Sequence, residues 1–596
     1  MTPSKIERLD FTPEAVIRWA PSHTRNTNWP VVYVLDDATT DNRAPRNRLL
    51  NDVYVGESRN AAGRMRQHFD SPDKAHLKTI RVIVDERFNK SACLDLESFL
   101  IRLLAGDGAY RVLNRNDGIT EGDYYDRDLY RESFRDVFEQ LRRDGVFTRS
   151  IPEIENSDLF KLSPFKALTQ DQAAAVEDIL NGLLTDLGAG SSSTLVIQGD
   201  PGTGKTVVAL YMLKLLVDIA NTVEAEDFDS DTMFSELFVP EHRALLTDLR
   251  IGLVIPQQSL RESIKKVFRK TPGLDPAMVM TAFDVGNADE EFDLLIVDEA
   301  HRLNQRANQP SGVQNKNFAD ITKKLFDVDD TSKTQLDWIR ARSKHQIYLL
   351  DAEQSVRPAD LPFQLLLDLV TNAKARHRHY PLITQMRVQA GEADYVAYIR
   401  RILGSASHFD DTTQPEPELF AEYDFRMFES VADMRDEILL KEKEAGLSRL
   451  VAGFAWPWAS KNDKAAFDIN VDGEKFRWNS TQTDWIASPK SLNEVGSIHT
   501  VQGYDLNYAG VIIGPDLRYD PITRRLFVDR ASYFDKKGKE NNAVLGKVYS
   551  DDDLLRFVRN IYAVLLTRGI RGTYVYVCDP ALREYLRTFI TTVDRH

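Results

Sequence analysis

Cysteine is almost missing from this chain: Cys93 and Cys578 are the only two in 596 residues, far apart and without a C-x-x-C partner. That excludes a disulfide framework and a thiolate zinc finger, and it suits a reducing compartment. Long apolar runs are missing as well. No stretch approaches the roughly 20 residues of a membrane-spanning helix, and Met1 to Asp10 is polar, with no leader-like core. The expectation is a cytoplasmic protein without a membrane partner. There is no internal repeat and no low-complexity tract. Positive charge is in short supply, with 76 Lys and Arg against 91 Asp and Glu, a net charge of −15. This argues against a protein that coats nucleic acid indiscriminately. A local basic groove inside an acidic shell stays open, because steering depends on where charge sits.

What is present is an ordinary globular composition, 42% hydrophobic and 28% charged. The length calls for several domains, since single cores stop growing at about 250 to 300 residues. The chain is organised around Gly199-Asp200-Pro201-Gly202-Thr203-Gly204-Lys205-Thr206, which fits the phosphate-binding pattern G-x-x-x-x-G-K-[ST]. Thr194 to Gln198 before it has strand character, and Val207 to Ile219 after it reads as a helix with an apolar stripe. In that context the loop's N–H groups surround phosphate, Lys205 reaches the β- and γ-phosphates of ATP, and Thr206 holds Mg²⁺. Phe292 to Val297 reads as a buried parallel strand delivering Asp298-Glu299-Ala300-His301 at its C-terminal end. Asp298 is the candidate for the metal and Glu299 for orienting and deprotonating the attacking water. Gln346 to Leu350 is a further strand, followed by Asp351-Ala352-Glu353-Gln354, with Gln354 as γ-phosphate sensor.

The succession continues through Gln385-Met386-Arg387, Ile498 to Asp505 and Val564 to Gly569. In this order the chain resembles a superfamily 1 helicase core, and more narrowly the bacterial Schlafen-type helicase domain, from about Leu168 to Asp579. Trp456-Pro457-Trp458, Val501-Gln502-Gly503-Tyr504-Asp505 and Leu565 to Gly572 carry the narrower likeness. The resemblance implies two RecA-like domains with ATP between them, Arg387 and Arg568 as arginine fingers, and Gln172, or else Gln170, recognising adenine. It also implies nucleic-acid contacts from Val254 to Ser259, from Thr281-Ala282-Phe283, and from Thr500 and Gln502. Trp456, Trp458, Trp478 and Trp485 offer faces for stacking bases, although most tryptophans belong to cores and no more than one or two are expected to serve. Lys265, Lys266, Arg269 and Lys270, the acidic run Glu224 to Asp231 and the polar stretch Asn304 to Lys333 are expected to be solvated.

Near the N-terminus, Val31 to Leu35, Asp52 to Gly56 and Thr79 to Val84 read as strands, with helices carrying Arg64 and His68 on one face and Glu97 further on. Tyr33, Tyr54-Val55-Gly56-Glu57-Ser58, Asn60, Arg64, His68, Glu97 and Asn114 resemble the GIY-YIG nuclease family over roughly Val31 to Asn114. The resemblance implies a tyrosine that activates water, Arg64 neutralising the transition state, Glu97 binding Mg²⁺ and Asn114 as the late Leu-Asn element. Arg59, Arg64 and Arg66 would have to favour a tyrosine phenolate, whose ordinary pKa is near 10. The first triplet departs from the family, reading Val-Val-Tyr, and Asp36 to Asn51 is a long connection.

The expected fold class is α/β: a small α+β domain over 1–120, a connecting arm over 121–164, and RecA-like domains over 165–378 and 379–596. The expected function is an ATP-dependent helicase or translocase with a metal-dependent endonuclease, DNA favoured over RNA, in bacterial antiphage defence. The alternatives are an ATP-gated binding switch with an inactive nuclease-like domain, an RNA-directed machine, or a DNA repair factor.

Overall fold

The computed structural model describes residues 4–37, 50–115, 123–222, 234–306, 309, 311–384, 394–404, 417–418, 420, 423–481, 485–501 and 504–593. They form two compact units. One holds residues 1–184, 206–248 and 263–278, the other 185–205, 249–262 and 279–596.

The first unit contains β1 (Lys5–Asp10), β2 (Val31–Asp36), β3 (Asn51–Ser58), β4 (Thr79–Val84) and β5 (Tyr110–Val112), in the order β1-β4-β2-β3-β5. The pairs are antiparallel except β3 with β5. Strand β2 is buried throughout, and its alternate residues serve opposite faces. Val31, Tyr33 and Leu35 pack with Ala61, Ala62 and Met65 of the helix Ala61–Phe69. Val32 and Val34 pack with Leu96, Leu100 and Leu104 of the helix Lys90–Asp107. That second helix starts where Asn89 Oδ1 accepts the Ala92 N–H, and it stops at Gly108, whose φ of 68° is left-handed.

The stretch expected to be a connecting arm carries the helix Arg127–Arg143. Its Phe134, Val137, Phe138 and Leu141, at the i, i+3, i+4, i+7 spacing of one helical face, are buried in the same cluster as the helix Lys90–Asp107. Val146, Phe147, Ile154 and Phe165 join them. The segment therefore supplies core, although charged residues dominate its composition.

The second unit holds two sheets built mainly of parallel strands. The first comprises β6 (Ser193–Gly199), β7 (Ile251–Val254), β8 (Val279–Met280), β9 (Phe292–Val297), β10 (Ser343–Leu350) and β11 (His379–Leu382), in the order β11-β6-β10-β9-β7-β8. All its pairs are parallel. The second comprises β12 (Asp424–Met427), β13 (Ser448–Ala452), β14 (Ile469–Val471), β15 (Glu474–Trp478), β16 (Glu494–Ser497) and β17 (Leu506–Ile513), then β20 (Gly569–Val577) and β21 (Thr591–Thr592). Between β17 and β20 the separate hairpin of β18 (Leu517–Asp520) and β19 (Arg525–Val528) intervenes. The large sheet runs β14-β15-β16-β13-β17-β20-β12-β21, antiparallel only where β14 and β15 form a hairpin at one edge. Its buried strands are near-continuous apolar runs, as strands covered on both faces require. Among the described residues no helix is long and apolar enough to cross a membrane.

Candidate nucleotide site and tyrosine–histidine cluster

In the first parallel sheet β10 lies between β6 and β9, with Leu350 level with Gln198 and Tyr348 level with Val297. The loops leaving these three strands therefore emerge side by side at the C-terminal edge, where parallel sheets place ligands. They carry Gly199 to Lys205, Asp298 to Arg302, and Asp351 to Gln354.

Gly202 and Gly204 have φ of 93° and 77°, a backbone conformation that a β-carbon would strain. Thr203 Oγ1 donates to Asp200 O at 2.9 Å, and Lys205 Nζ donates to Gly199 O at 2.7 Å and Asp200 O at 3.0 Å. This closes the loop on itself and fixes the lysine at its rim. Thr206 is the second residue of the helix Lys205–Asn221.

Asp298 is buried at the end of β9, its Oδ1 accepting the Glu299 N–H at 3.0 Å. Glu299 has φ of 50°, a strained conformation for a residue with a side chain. Its Oε2 stands 3.0 Å from His301 Nε2. His301 Nδ1 accepts the Asp351 N–H at 3.3 Å, which leaves the ring proton on Nε2, on the side of Glu299. Burial alone would raise the Glu299 carboxyl, but His301, Lys205 and Arg302 outweigh it and hold it well below the usual carboxylate range. The group is thus an ionised, partly buried carboxylate whose inner oxygen, Oε2, makes no well-aligned hydrogen bond among the described residues. That is the acceptor expected of a base that holds a water.

Gln354 Nε2 donates to Asp351 Oδ2 at 2.8 Å. Arg302, beside His301, brings Nη1 to 3.5 Å from Oε1 of Gln257, in the stretch expected to touch nucleic acid. The arginine that reaches the phosphate loop is one that sequence reasoning missed. Arg400, on the helix Tyr395–Ile402, places Nη1 2.6 Å from Asp200 Oδ1 and 3.1 Å from Glu353 Oε2, and Nη2 2.9 Å from Asp351 Oδ2. Its side chain is 13% exposed. Nothing in the sequence separates it from its neighbour Arg401, which pairs with Glu418. Burial would raise Asp351, yet Arg400 first, then Lys205 and His301, keep it below its ordinary value.

Of the two arginines expected as fingers, Arg387 lies outside the described residues, as do Gln385, Met386, Gln502 and Gly503. Arg568 is buried, and its Nη1 donates to Tyr504 O at 3.4 Å. Gln172 is buried in the first unit, where its Oε1 accepts the Thr169 N–H at 3.1 Å at the start of a helix; Gln170 is exposed. Thr281 forms a reciprocal cap with Asp284, and Thr500 Oγ1 lies 3.1 Å from Ser497 Oγ. Trp478 and Trp485 are core residues, whereas Trp456 and Trp458 are half-buried. Lys270, expected to be solvated, donates to Gly108 O at 2.7 Å.

In the first unit, Tyr33, Tyr54 and His68 form one cluster. Tyr33 Oη is 2.8 Å from His68 Nε2, and the Tyr54 ring meets His68 edge-on with centroids 5.2 Å apart. Lys74 Nζ sits 4.2 Å from the Tyr54 ring centroid. Gly56 faces Tyr33 across the β2–β3 pair, and a β-carbon there would lie 2.3 Å from Tyr33 Oη. That close approach is the physical reason for glycine in the second triplet. Arg64 Nη1 donates to Gln67 Oε1 at 2.9 Å. At Tyr33 no phenolate is favoured: burial pushes its phenol well above 10, Tyr54 and Glu97 add to the rise, and Arg64 opposes it. His68 is held neutral, its pKa lowered to about 3 by burial, with Lys74 and Arg64 contributing. Asn114 pins β3, its Oδ1 accepting from Val55 N at 3.0 Å and its Nδ2 donating to Val55 O at 2.7 Å. Both of its polar groups are therefore spent on backbone.

Among the described residues no group of three or more His, Cys, Asp or Glu side chains is arranged to hold a metal. Glu97 is half-buried and close enough to add to the rise of the Tyr33 phenol.

The sequence profile of the Schlafen group 3 DNA/RNA helicase domain matches residues 192–579. An uncharacterized protein of Saccharomyces cerevisiae, YPL245W, is 26% identical over 471 residues, which span 73% of this chain and 93% of the yeast protein. Solved structures that share parts of the chain include the arterivirus nonstructural protein 10 helicase, with a TM-score of 0.26 and 15% identity over 68% of this chain and 64% of that one. Pif1 helicase from Bacteroides, in complex with ADP-AlF3 and ssDNA, has a TM-score of 0.25 and 13% identity over 67% of this chain and 91% of that one.

Proposed function

The chain belongs to the Schlafen group 3 DNA/RNA helicase domain family, and from that premise we propose an ATP-driven motor acting on nucleic acid, with a metal-dependent nuclease in its N-terminal fold. The observation that carries the motor is the convergence of three adjacent strand ends on Lys205, on Asp298 with Glu299, and on Asp351 with Gln354. Lys205 and the loop N–H groups bind the β- and γ-phosphates. Asp298 and Thr206 hold Mg²⁺, which supplies charge neutralisation on the transferred phosphoryl group. Glu299, kept ionised by His301, orients the attacking water and takes its proton. Gln354 and Arg568 serve the γ-phosphate, with Arg387, and Gln172 serves adenine. The working division of the chain is a nuclease fold over 1–120, a segment over 121–164 whose apolar side chains join that fold's core, and RecA-like domains over 165–378 and 379–596.

For the nuclease, support comes from the Tyr33–His68 hydrogen bond with Tyr54 beside it and Glu97 within electrostatic reach. A tyrosine of this cluster, assisted by its neighbours, activates the attacking water, and Arg64 neutralises charge at phosphorus. DNA is the proposed substrate.

The test is ATP hydrolysis with and without single-stranded DNA or RNA. Stimulated turnover that disappears in Lys205→Ala is the expected result, and a wild-type protein that splits no nucleoside triphosphate under any condition ends the motor proposal. Nicking of circular DNA with Mg²⁺, lost in Glu97→Ala, is expected of the nuclease. Its absence from wild type would leave a binding domain coupled to the motor, and cleavage of matched RNA in preference to DNA would reassign the substrate.

A further inference from the structure

At the β14–β15 edge of the second sheet a cavity of about 550 Å³ opens, bounded by Trp458, Lys461, Lys464, Arg477, Trp478 and Lys490 among others. Its size falls in the range of small-ligand pockets. It lies on the loop after β13 and on strands β15 and β16, and it shares no residue with the phosphate loop, which follows β6 in the other sheet.

The lining is unusual for this chain. In a protein of net charge −15 it gathers four cationic side chains against one carboxylate, Glu494. That carboxylate is already engaged, its Oε2 accepting from Trp485 Nε1 at 2.8 Å and from Ser480 N at 3.0 Å. Lys461, Lys464 and Lys490 are exposed, and their ammonium groups make no ion pair among the described residues. Arg477, by contrast, is fixed: its guanidinium donates to Ala465 O at 2.9 Å and Ala466 O at 3.0 Å and lies 4.2 Å from the Phe467 ring centroid. Trp458 is half-buried, propped by Phe454 at 5.8 Å and Trp478 at 6.3 Å between ring centroids. Trp478, only 1% exposed, carries an indole N–H with no hydrogen-bond partner among the described residues. An orphaned donor at the wall of a concave site, with a rigid aromatic face and long-stemmed cations around it, matches a ligand that has both a flat ring and phosphate.

We propose that this cavity is a second nucleic-acid site, receiving one unstacked base of a single strand against Trp458 while Lys461, Lys464 and Lys490 hold the flanking phosphates. The inference rests on the motor reading above and adds a place where the strand is gripped outside the nucleotide cleft. The same ring-plus-phosphate chemistry belongs to free nucleoside monophosphates, and the competition arm below separates the two.

The experiment uses the full chain. Binding of a fluorescent oligo-dT strand and its RNA counterpart is followed by anisotropy over a salt series, with ATP hydrolysis in the absence of nucleic acid as the control for an intact motor. Trp458→Ala should weaken binding by about five- to 150-fold, the worth of one stacked base, whereas Trp458→Phe should keep most of it. Replacing Lys461, Lys464 and Lys490 together by alanine should lower the slope of log affinity against log salt by about two, at roughly 0.7 for each phosphate no longer neutralised. Basal hydrolysis should not change in either variant. Wild type that binds while both variants bind equally well, with the same salt slope, overturns the cavity site and leaves the motor reading standing. Wild type that binds no strand overturns both. A nucleoside monophosphate that displaces the oligonucleotide at concentrations matching the strand's own affinity overturns the strand assignment.

Discussion

Replacing Arg400 by alanine removes one guanidinium from three carboxylates at once, and the structure says which of the three losses matters. Asp200 has a side chain 43% exposed, so its pair with Arg400 is largely screened and contributes at most about 1 kcal/mol. Asp351 is different: its side chain is 5% exposed, and Arg400 is the strongest of the groups that keep it ionised. Leaving a buried carboxylate without its main counter-ion costs about 3–5 kcal/mol, offset in part by Lys205 and His301 nearby. Asp351→Asn alone should cost only about 1–2 kcal/mol, because Arg400 keeps Asp200 and Glu353. The double variant Arg400→Ala with Asp351→Asn should then be more stable than the sum of the single losses by about 2 kcal/mol. Urea unfolding at pH 7 measures all three. The acid limb adds a check. A depressed carboxylate lends stability above its unfolded pKa and loses it as pH falls, so Arg400→Ala should lose stability less steeply than wild type below about pH 4. Steady-state hydrolysis should show the damage in kcat more than in KM, since Arg400 braces the loop and the Asp351–Gln354 segment. A single loss below about 1 kcal/mol, or strict additivity in the double variant, refutes the bracing role.

Gly56→Ala puts a carbon 2.3 Å from Tyr33 Oη, so the Tyr33–His68 hydrogen bond must give way. The variant should melt at lower temperature, by about 1–3 kcal/mol of stability, and lose any nicking activity with it; unchanged melting contradicts the packing. His301→Ala removes the leading influence that keeps Glu299 ionised, so the acid limb of the ATPase pH profile should move to higher pH, and an unmoved limb assigns the control elsewhere. Asp516, pushed up to about 7 by burial, accepts from Tyr562 Oη at 2.6 Å. Its folded pKa lies above the unfolded value near 3.9, so its contribution is complete at low pH and is lost as pH rises toward 7 and beyond. Asp516→Asn should be the more stable protein at pH 8, by up to roughly 4 kcal/mol, and should flatten the rise in melting temperature on going to pH 5; parallel curves refute this.

The fold was legible wherever one signal dominated. The run Phe292 to Val297 is β9 to the residue, and the strand before the phosphate loop extends the sequence reading by one residue at each end, because continuous β-branched runs bounded by glycine and charge leave little choice. The helix Arg127–Arg143 was harder. It lies in the stretch expected to be a connecting arm, and its burial was hidden because arginines and acids on the outer face mask a four-residue apolar stripe. Long-range placement was beyond reach in the same way. Arg400 and Arg401 are adjacent and chemically identical, and only the packing of the helix Tyr395–Ile402 sends one to the phosphate loop and the other to Glu418.

The tyrosine cluster shows why residue types alone set a site's membership more surely than its protonation. A tyrosine phenolate would have to be favoured by Arg59, Arg64 and Arg66, and a Coulomb argument in water would allow it. In the folded unit Tyr33 is wholly buried, and the loss of hydration outweighs every other influence on its phenol. Arg64 opposes the rise, and Glu97, the residue proposed for the metal, adds to it. A neutral phenol hydrogen-bonded to a neutral imidazole is not a stored base. His68 is itself held down to about 3, so it stays neutral across the physiological range and is a weak base there. Burial, which keeps both members uncharged, equally disfavours the ion pair that proton transfer between them would create, and the basic residues around the pair do not reverse that.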